Sequence, residues 1–307
     1  MKHLFLVNPA SGKHDMSQMV RSAVEASCKG LRYEIKVSRK AGDIKAWARE
    51  AAETGEELRI YACGGDGTLN EVVNGAVGYK NVAITHFPGG SGNDFIKIFN
   101  DTAPFRDLNQ LLEDPREAEF DLICCNGAYA MNSCSMGLDA RIGTEVVNYK
   151  RLPLVSGTGA YLLSVAANVV KGIHRHYRVT VNGETIDSDL TLIYVGSGRW
   201  YGGSFNPMPD GDPTDGFLEV LLVQPVSRLT VAKVIGPYQK GQYAQYPELI
   251  RMVRTKSITV EADEPEAIQM DGEKHVHKVA EFTLAPCKMR FFYPRSVTWQ
   301  APVPAGK

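Results

Sequence analysis

Residues 58–71 read LRIYACGGDGTLNE, an apolar run that leads directly into three glycines around an aspartate. The run 58–63 is typical of a buried parallel strand, and the spacing that follows predicts a helix over residues 68–77. Glycines at such a turn let the backbone approach a ligand without a Cβ in the way. Because a helix start presents N–H groups and a positive dipole end, the segment predicts a phosphate-binding turn.

A plain strand–turn–helix is the alternative interpretation of this stretch. In that interpretation Thr68 is the N-cap of the helix and Glu71 completes a capping box. It does not account for three glycines around Asp66, whose carboxylate would repel a phosphate unless Mg²⁺ bridges the two or a substrate hydroxyl is near. We therefore favour the functional interpretation.

Outward from this turn, residues 1–125 alternate between strand and helix patterns. Further strands are predicted at 4–7, 31–37 and 82–87, and further helices at 16–24 and 43–54. This alternation predicts an α/β unit with a parallel sheet.

The pattern changes after about residue 121, where short strand candidates dominate. They lie at 177–181, 190–195, 217–223, 257–262, 281–285 and 289–293, with helices predicted at 157–170 and 227–235. We predict a mostly antiparallel β domain over residues 126–293, with residues from about 294 to 307 able to pack back on the first domain.

The composition excludes several classes of protein. The 307 residues carry 34 basic and 35 acidic side chains, so the chain has no broad basic field for nucleic acid. The apolar run at 4–7 is too short for a signal peptide, and no stretch is long enough to span a membrane, so we expect a cytoplasmic protein. The six cysteines are interpreted as reduced thiols rather than as disulfides or zinc ligands.

Two further turns follow predicted parallel strands. Residues 8–13 read NPASGK after the first strand, and residues 88–95 read PGGSGNDF after the strand 82–87. The first lacks the Walker A spacing and is weak evidence alone. Three such turns would nevertheless lie together at the carboxyl edge of the sheet, where open α/β sheets bind ligands.

These turns, in order, resemble the catalytic domain of the diacylglycerol kinase and sphingosine kinase superfamily, and in particular the bacterial diacylglycerol kinase-like lipid kinases. Residues 132–140 are similar to the family's segment entering its second domain, and residues 196–203 and 215–220 to its metal-site region. The stretch QMDGE at 269–273 resembles the segment with its general base. The similarity extends from about residue 4 to residue 294.

The resemblance implies an α/β nucleotide-binding domain, a C-terminal β-sandwich and an active site in the cleft between them. It implies ATP and Mg²⁺ as cofactors, Glu273 as the general base, Asp66 acting with the nucleotide's Mg²⁺, and a second Mg²⁺ on Asp215 with main-chain oxygens near Asp212 and Phe217. The expected acceptor is a lipid hydroxyl, met by transient contact with the inner face of a membrane, and a homodimer is possible. The ATP-binding residues implied are Asn8, Pro9, Ala10, Ser11, Gly12, Lys13, Ser38, Gly64, Gly65, Asp66, Gly67, Thr68, Leu69, Asn70 and Ser91.

Alternatives stay open at this point. A kinase of the same superfold with a non-lipid acceptor such as NAD⁺, or a non-catalytic nucleotide- or lipid-binding protein, would share much of the pattern. Ser197, Ser204 and the stretch 206–210 depart from the family's pattern near the acceptor side, which leaves the acceptor's identity open. The moderately apolar stretch 229–243 is interpreted as core packing in preference to a membrane-touching helix.

Overall fold

A computed structural model describes residues 1–12, 15–150, 164, 167–168 and 172–299. Within it the chain divides into two compact units, Met1–Leu122 together with the chain from Ala285 onward, and Ile123–Leu284. The helix predicted at 157–170 lies outside the described residues except at three positions.

The first unit contains a six-stranded sheet and flanking helices. The strands are β1 (Lys2–Val7), β2 (Tyr33–Val37), β3 (Leu58–Gly64), β4 (Val82–Pro88), β5 (Arg116–Phe120) and, from the end of the chain, β16 (Met289–Tyr293). The helices are α1 (Ser17–Ser27), α2 (Asp43–Glu53), α3 (Asp66–Ala76) and α4 (Leu108–Leu112), with short 3₁₀ turns at Phe95–Ile98 and Ala103–Arg106.

The sheet order is β2-β1-β3-β4-β16-β5, and all neighbouring strands are parallel except β16 and β5. The central strands are buried nearly throughout, as their apolar sequences require when both faces of a parallel sheet are covered. The predicted strand–helix alternation of residues 1–88 is therefore confirmed element by element.

The last strand of the first sheet corrects the predicted extent of the second domain. We assigned residues 126–293 to the β-sandwich, but β16 pairs with β4 and β5 in the first sheet. Its Phe291 is buried among Phe95, Phe99 and Phe120 of the first unit. A strand pattern indicates that a segment pairs, but not which sheet it joins, so the local sequence could not show this return.

The second unit is built from antiparallel strands. They are β6 (Ile123–Cys125), β7 (Ala128–Ala130), β8 (Ser133–Gly137), β9 (Arg175–Val181), β10 (Glu184–Leu190), β11 (Leu192–Gly196), β12 (Leu218–Val223), β13 (Ile250–Thr255), β14 (Ser257–Met270) and β15 (Glu273–Leu284). Two helices accompany them, α5 (Leu138–Lys150) and α6 (Arg228–Gln239).

The main strand order is β13-β12-β11-β8-β14-β15-β6-β7, while β9 pairs with β14 and carries β10. Buried residues alternate along β9, and those of β9, β11, β12 and β14 share one hydrophobic core. The antiparallel, β-sandwich-like fold predicted for this half is confirmed. In the described part of the chain, the helices are too short or too polar to cross a bilayer.

Candidate functional site

The three glycine-rich turns of the first unit meet at one edge of its sheet. Strands β1, β3 and β4 are parallel neighbours, with Val7 opposite Cys63 and Gly64 opposite Pro88. Because these strands end at the same level, the turns that follow them lie side by side, as predicted.

Hydrogen bonds donated by main-chain N–H groups hold the turns together. The Gly89 N–H donates to the Gly64 carbonyl at 2.7 Å, and the Gly65 N–H donates to Ser11 Oγ at 3.2 Å. Gly12 has φ +80°, and a Cβ there would lie 2.3 Å from the Gly89 carbonyl oxygen. Glycine at position 12 is therefore required both by the backbone conformation and by the neighbouring main chain.

The carboxylate of Asp66 joins the second turn to the third. Its two oxygens accept the N–H groups of Asn93 at 2.7 Å and Asp94 at 2.5 Å. Asn93 has φ +51°, a left-handed conformation that asparagine tolerates. These two bonds fix the orientation of the Asp66 carboxylate.

The start of α3 corrects the capping-box interpretation. The helix begins at Asp66 with Gly65 as its N-cap, two residues before the predicted start, so Thr68 lies inside the first turn. The Glu71 carboxylate instead accepts the N–H groups of Gly42 and Lys45, each at 3.1 Å, at the beginning of α2. Glu71 thus caps the neighbouring helix, a partner that local spacing could not reveal.

Further predicted ATP-binding residues lie in different surroundings. Ser38 donates its N–H to the Val7 carbonyl at 2.9 Å, which places it at the same sheet edge as Asn8. Leu69 and Asn70 are buried within α3, so they support the turn from below. Ser91 is exposed in the third turn, while Lys13 lies outside the described residues.

The sequence assigned no role to three polar residues in or beside the third turn. His86, buried in β4, lies with Nε2 2.9 Å from the Gly64 carbonyl oxygen, so Nε2 carries the proton and donates. Burial lowers the pKa of His86 to about 4 and keeps the ring neutral. Asp94, also buried, forms an ion pair with Lys97 at 2.6 Å. His86 sits within an apolar run, so no sequence signal distinguished it.

In the second unit two of the predicted metal residues, Asp215 and Phe217, lie beside the guanidinium of Arg254. Asp215 forms an ion pair with Arg254 through Oδ2 and accepts the Phe217 N–H through Oδ1 at 2.9 Å. The Arg254 guanidinium lies 4.6 Å from the centre of the Phe217 ring. Asp212 accepts the N–H and hydroxyl of Thr214.

Glu219 adds a second acid beside this pair. It is buried, with Oε1 3.5 Å from Arg254 Nε, and burial together with the nearby charge of Asp215 raises its pKa to about 8. Among the described residues, no cluster of three or more His, Cys, Asp or Glu side chains has a metal-binding arrangement. In this arrangement the negative charge of Asp215 is balanced by the Arg254 guanidinium. The second Mg²⁺ remains a prediction.

The turn between β14 and β15 carries Glu273, an exposed residue that is the first of β15. Asp271 and Gly272 have φ of +47° and +92°, as in a type I′ hairpin turn. The Asp271 carboxylate accepts three main-chain N–H groups that lead into β8, from Met131 at 2.7 Å, Asn132 at 3.1 Å and Ser133 at 2.9 Å. Asp271 therefore anchors the turn that presents Glu273, a role the turn pattern did not indicate.

Comparison with known families agrees with this architecture. Residues 2–125 match the diacylglycerol kinase catalytic domain, and residues 132–293 match the YegS C-terminal NAD kinase beta sandwich-like domain. Together these matches define the class as a two-domain kinase. The chain belongs to the diacylglycerol kinase-like lipid kinase family.

Individual relatives share this organisation. A protein of Staphylococcus aureus strain MRSA252, named "Putative lipid kinase SAR0780", is 24% identical over 271 residues, which are 87% of this chain and 88% of the relative. A structure titled "The crystal structure of a diacylglycerol kinases from Bacillus anthracis str. Sterne" has a TM-score of 0.72 at 20% identity and covers 97% of this chain and 98% of its own. A second structure from the same organism, titled a "putative diacylglycerol kinase", has a TM-score of 0.73 at 20% identity. These structural matches show the shared fold.

Proposed function

We propose that the protein is an ATP- and Mg²⁺-dependent kinase that transfers the γ-phosphate to the hydroxyl of diacylglycerol or a related lipid. The observation that carries this proposal is the meeting of three glycine-rich turns with the N-terminus of α3 and the fixed carboxylate of Asp66. The names of the relatives favour a lipid as the acceptor.

The turns suit a triphosphate because their glycines bring main chain and a helix N-terminus close together. Gly12 and Gly65 let the turns pack closely, since a Cβ at either would meet the main chain of the third turn, and α3 points its N-terminus and positive dipole end toward the same sheet edge. In the proposed enzyme these turns bind the phosphates of ATP and hold them for in-line attack.

Asp66 fits a role with the nucleotide's metal ion. Mg²⁺ prefers oxygen donors such as a carboxylate, and the Asp66 carboxylate is held where the second and third turns meet. When bound, Mg²⁺ would offset the negative charge that gathers on the phosphate oxygens. The contacts from Asn93 and Asp94 orient the carboxylate before the nucleotide arrives.

Glu273 is proposed as the general base. As the acceptor hydroxyl forms its bond to the γ-phosphorus and the bond to the leaving ADP oxygen breaks, the Glu273 carboxylate takes the hydroxyl proton. Support comes from the exposure of Glu273 and from the anchored Asp271–Gly272 turn that precedes it.

The test is transfer of labelled γ-phosphate from ATP·Mg²⁺ to a panel of lipids in mixed micelles, with NAD⁺ offered beside them. Glu273→Gln is expected to lose about a hundredfold or more in turnover and to keep its ATP affinity. Glu281→Gln, an exposed glutamate on the same strand, is the matched control and should keep full turnover.

Three results would overturn parts of the proposal. Full turnover by Glu273→Gln would remove this residue from catalysis. Label on NAD⁺ instead of lipid would change the acceptor class. Tight ATP binding with no transfer to any acceptor would indicate a binding protein.

A further inference from the structure

Helix α6 has one buried face and one exposed face. Val234 and Tyr238 pack into a cluster with Tyr194, Tyr201 and Leu221 on the second unit. The sequence favoured core packing for this segment, and this face confirms it. The opposite face requires another explanation.

The exposed face includes large apolar side chains. Leu229 is 84% exposed, more than any other large hydrophobic residue in the described part of the chain, and Ile235 is 44% exposed. Arg228, Ala232 and Lys233 are exposed on the same side of the helix, as 3.6 residues per turn requires. Exposing a side chain such as Leu229 has a cost in water that burial elsewhere would remove.

Along the chain, the charge of this segment has a single sign. Arg228 and Lys233 lie on the exposed face and Lys240 follows the helix, while residues 220–247 contain no aspartate or glutamate. Apolar side chains flanked by basic ones match the two layers of an anionic membrane surface, its acyl chains and its phosphate headgroups.

The helix is also formed before any docking. The Ser227 hydroxyl caps its N-terminus by accepting the Thr230 N–H at 3.1 Å, and Gln239 at its last turn donates to Ser204 Oγ at 3.0 Å. A preformed helix loses little conformational entropy on binding, so a small apolar face is sufficient for a reversible contact.

We propose that the exposed face of α6 docks on the surface of an anionic lipid bilayer. Leu229 and Ile235 enter the boundary between headgroups and acyl chains, and Arg228, Lys233 and Lys240 contact the lipid phosphates. The biological purpose of this contact rests on the proposed lipid kinase function, but the binding itself does not depend on catalysis.

The experiment is co-sedimentation of the full chain with vesicles of phosphatidylcholine, with or without about a third of phosphatidylglycerol. Leu229→Ser is expected to lower partitioning onto the anionic vesicles about tenfold. Lys233→Gln should lower it about fivefold on anionic vesicles and leave neutral ones unaffected.

Matched controls come from helix α1 and the residues after it. Met19→Ser removes a 53% exposed apolar side chain from a helix of the first unit, and Lys29→Gln removes an exposed lysine after that helix. Both should bind vesicles like the unchanged protein. All the changed side chains are exposed, so unchanged thermal unfolding is expected and is measured for each variant.

Vesicle binding that is absent, or equal in Leu229→Ser and Met19→Ser, would overturn the docking proposal. If, without lipid, Leu229→Ser sediments with a lower mass than the unchanged protein, the face binds a second copy of this chain and the membrane proposal is overturned. Phosphate transfer to a short-chain diacylglycerol that stays monomeric in water separates the two proposals. If the unchanged protein transfers no phosphate to this lipid, the kinase function is contradicted, while the vesicle-binding result still holds.

Discussion

The two units of this protein fix their candidate site residues by different means. In the first unit, the turns after β1, β3 and β4 approach so closely that a Cβ at position 12 would lie 2.3 Å from the Gly89 carbonyl oxygen. In the second unit, acidic side chains on separate turns are held by partners far along the chain, Asp271 by Met131 and Asp215 by Arg254. Shape is the constraint in the first case and charge in the second.

Gly12→Ala should have the largest effect, because it tests the constraint of shape. The new Cβ would lie 2.3 Å from the Gly89 carbonyl oxygen, in a backbone conformation with φ +80°. We expect a loss of roughly 3 kcal/mol in unfolding free energy and about a hundredfold or more in ATP affinity. Urea unfolding and calorimetric titration with ATP measure the two effects.

Gly30→Ala is the matched control for this change. Gly30 has φ +79°, but a Cβ there would have no atom within 4 Å. Gly30→Ala should lower the unfolding free energy by only about 1 kcal/mol, the contribution of the backbone conformation alone, and should leave the ATP affinity unchanged. Equal losses in the two variants would mean that contact between the turns is not what requires glycine.

Asp271→Asn tests the constraint of charge in the second unit. The carboxylate accepts three main-chain N–H groups, and an amide would place an NH₂ donor against at least one of them. We expect a loss of about 2 kcal/mol in unfolding free energy and a lower turnover, with ATP affinity unchanged.

The control is Asp114→Asn. Asp114 shares the left-handed backbone of Asp271, with φ +51°, but its carboxylate is 76% exposed and pairs only at the surface with Arg295. Asp114→Asn should lower the unfolding free energy by less than about 1 kcal/mol. A similar loss at both positions would show that the backbone conformation, not the three N–H groups, sets the effect.

This contrast explains which contacts could be predicted from the sequence. Each of the turns after β1, β3 and β4 is a continuous stretch of sequence. Residue spacing and glycine content therefore predicted where the turns lie and that they meet at one sheet edge. The partners of Asp271 are some 140 residues away, and Glu71 caps a helix other than its own. Such contacts depend on which segments meet in three dimensions, as does the return of β16 to the first sheet.

A buried histidine gives the first unit a predicted pH dependence. The pKa of His86 is about 4 in the folded protein and ordinarily near 6.5, so the unfolded chain binds more protons between these values. Stability from this group is full above pH 6.5 and falls as the pH drops toward 4. Between pH 6.5 and 5 the loss should be about 1.5 kcal/mol.

The difference in slope between the unchanged protein and His86→Gln, measured by denaturant unfolding across this range, isolates the His86 contribution, because the raised pKa of Glu219 acts in the opposite direction. His3, also buried and with its pKa lowered to about 4 by burial, contributes in the same direction as His86. His86→Gln should therefore remove about half of the histidine contribution and also weaken the contact to the Gly64 carbonyl. An unchanged slope in His86→Gln would contradict the assignment of a neutral, buried ring.

The smallest expected effect decides whether the charge at Asp215 serves a metal ion or an arginine. Asp215 and Arg254 are partly exposed, so Arg254→Gln should change the unfolding free energy by less than about 1 kcal/mol in the presence of a chelator. Removing the guanidinium also removes a positive charge that would repel a cation.

If Mg²⁺ binds at Asp215, added Mg²⁺ without nucleotide should raise the unfolding temperature of Arg254→Gln more than that of the unchanged protein, and Asp215→Asn should show no rise. If Mg²⁺ leaves all three proteins unaffected, Arg254 is the permanent partner of Asp215, and the second unit is held by ion pairs rather than by a metal.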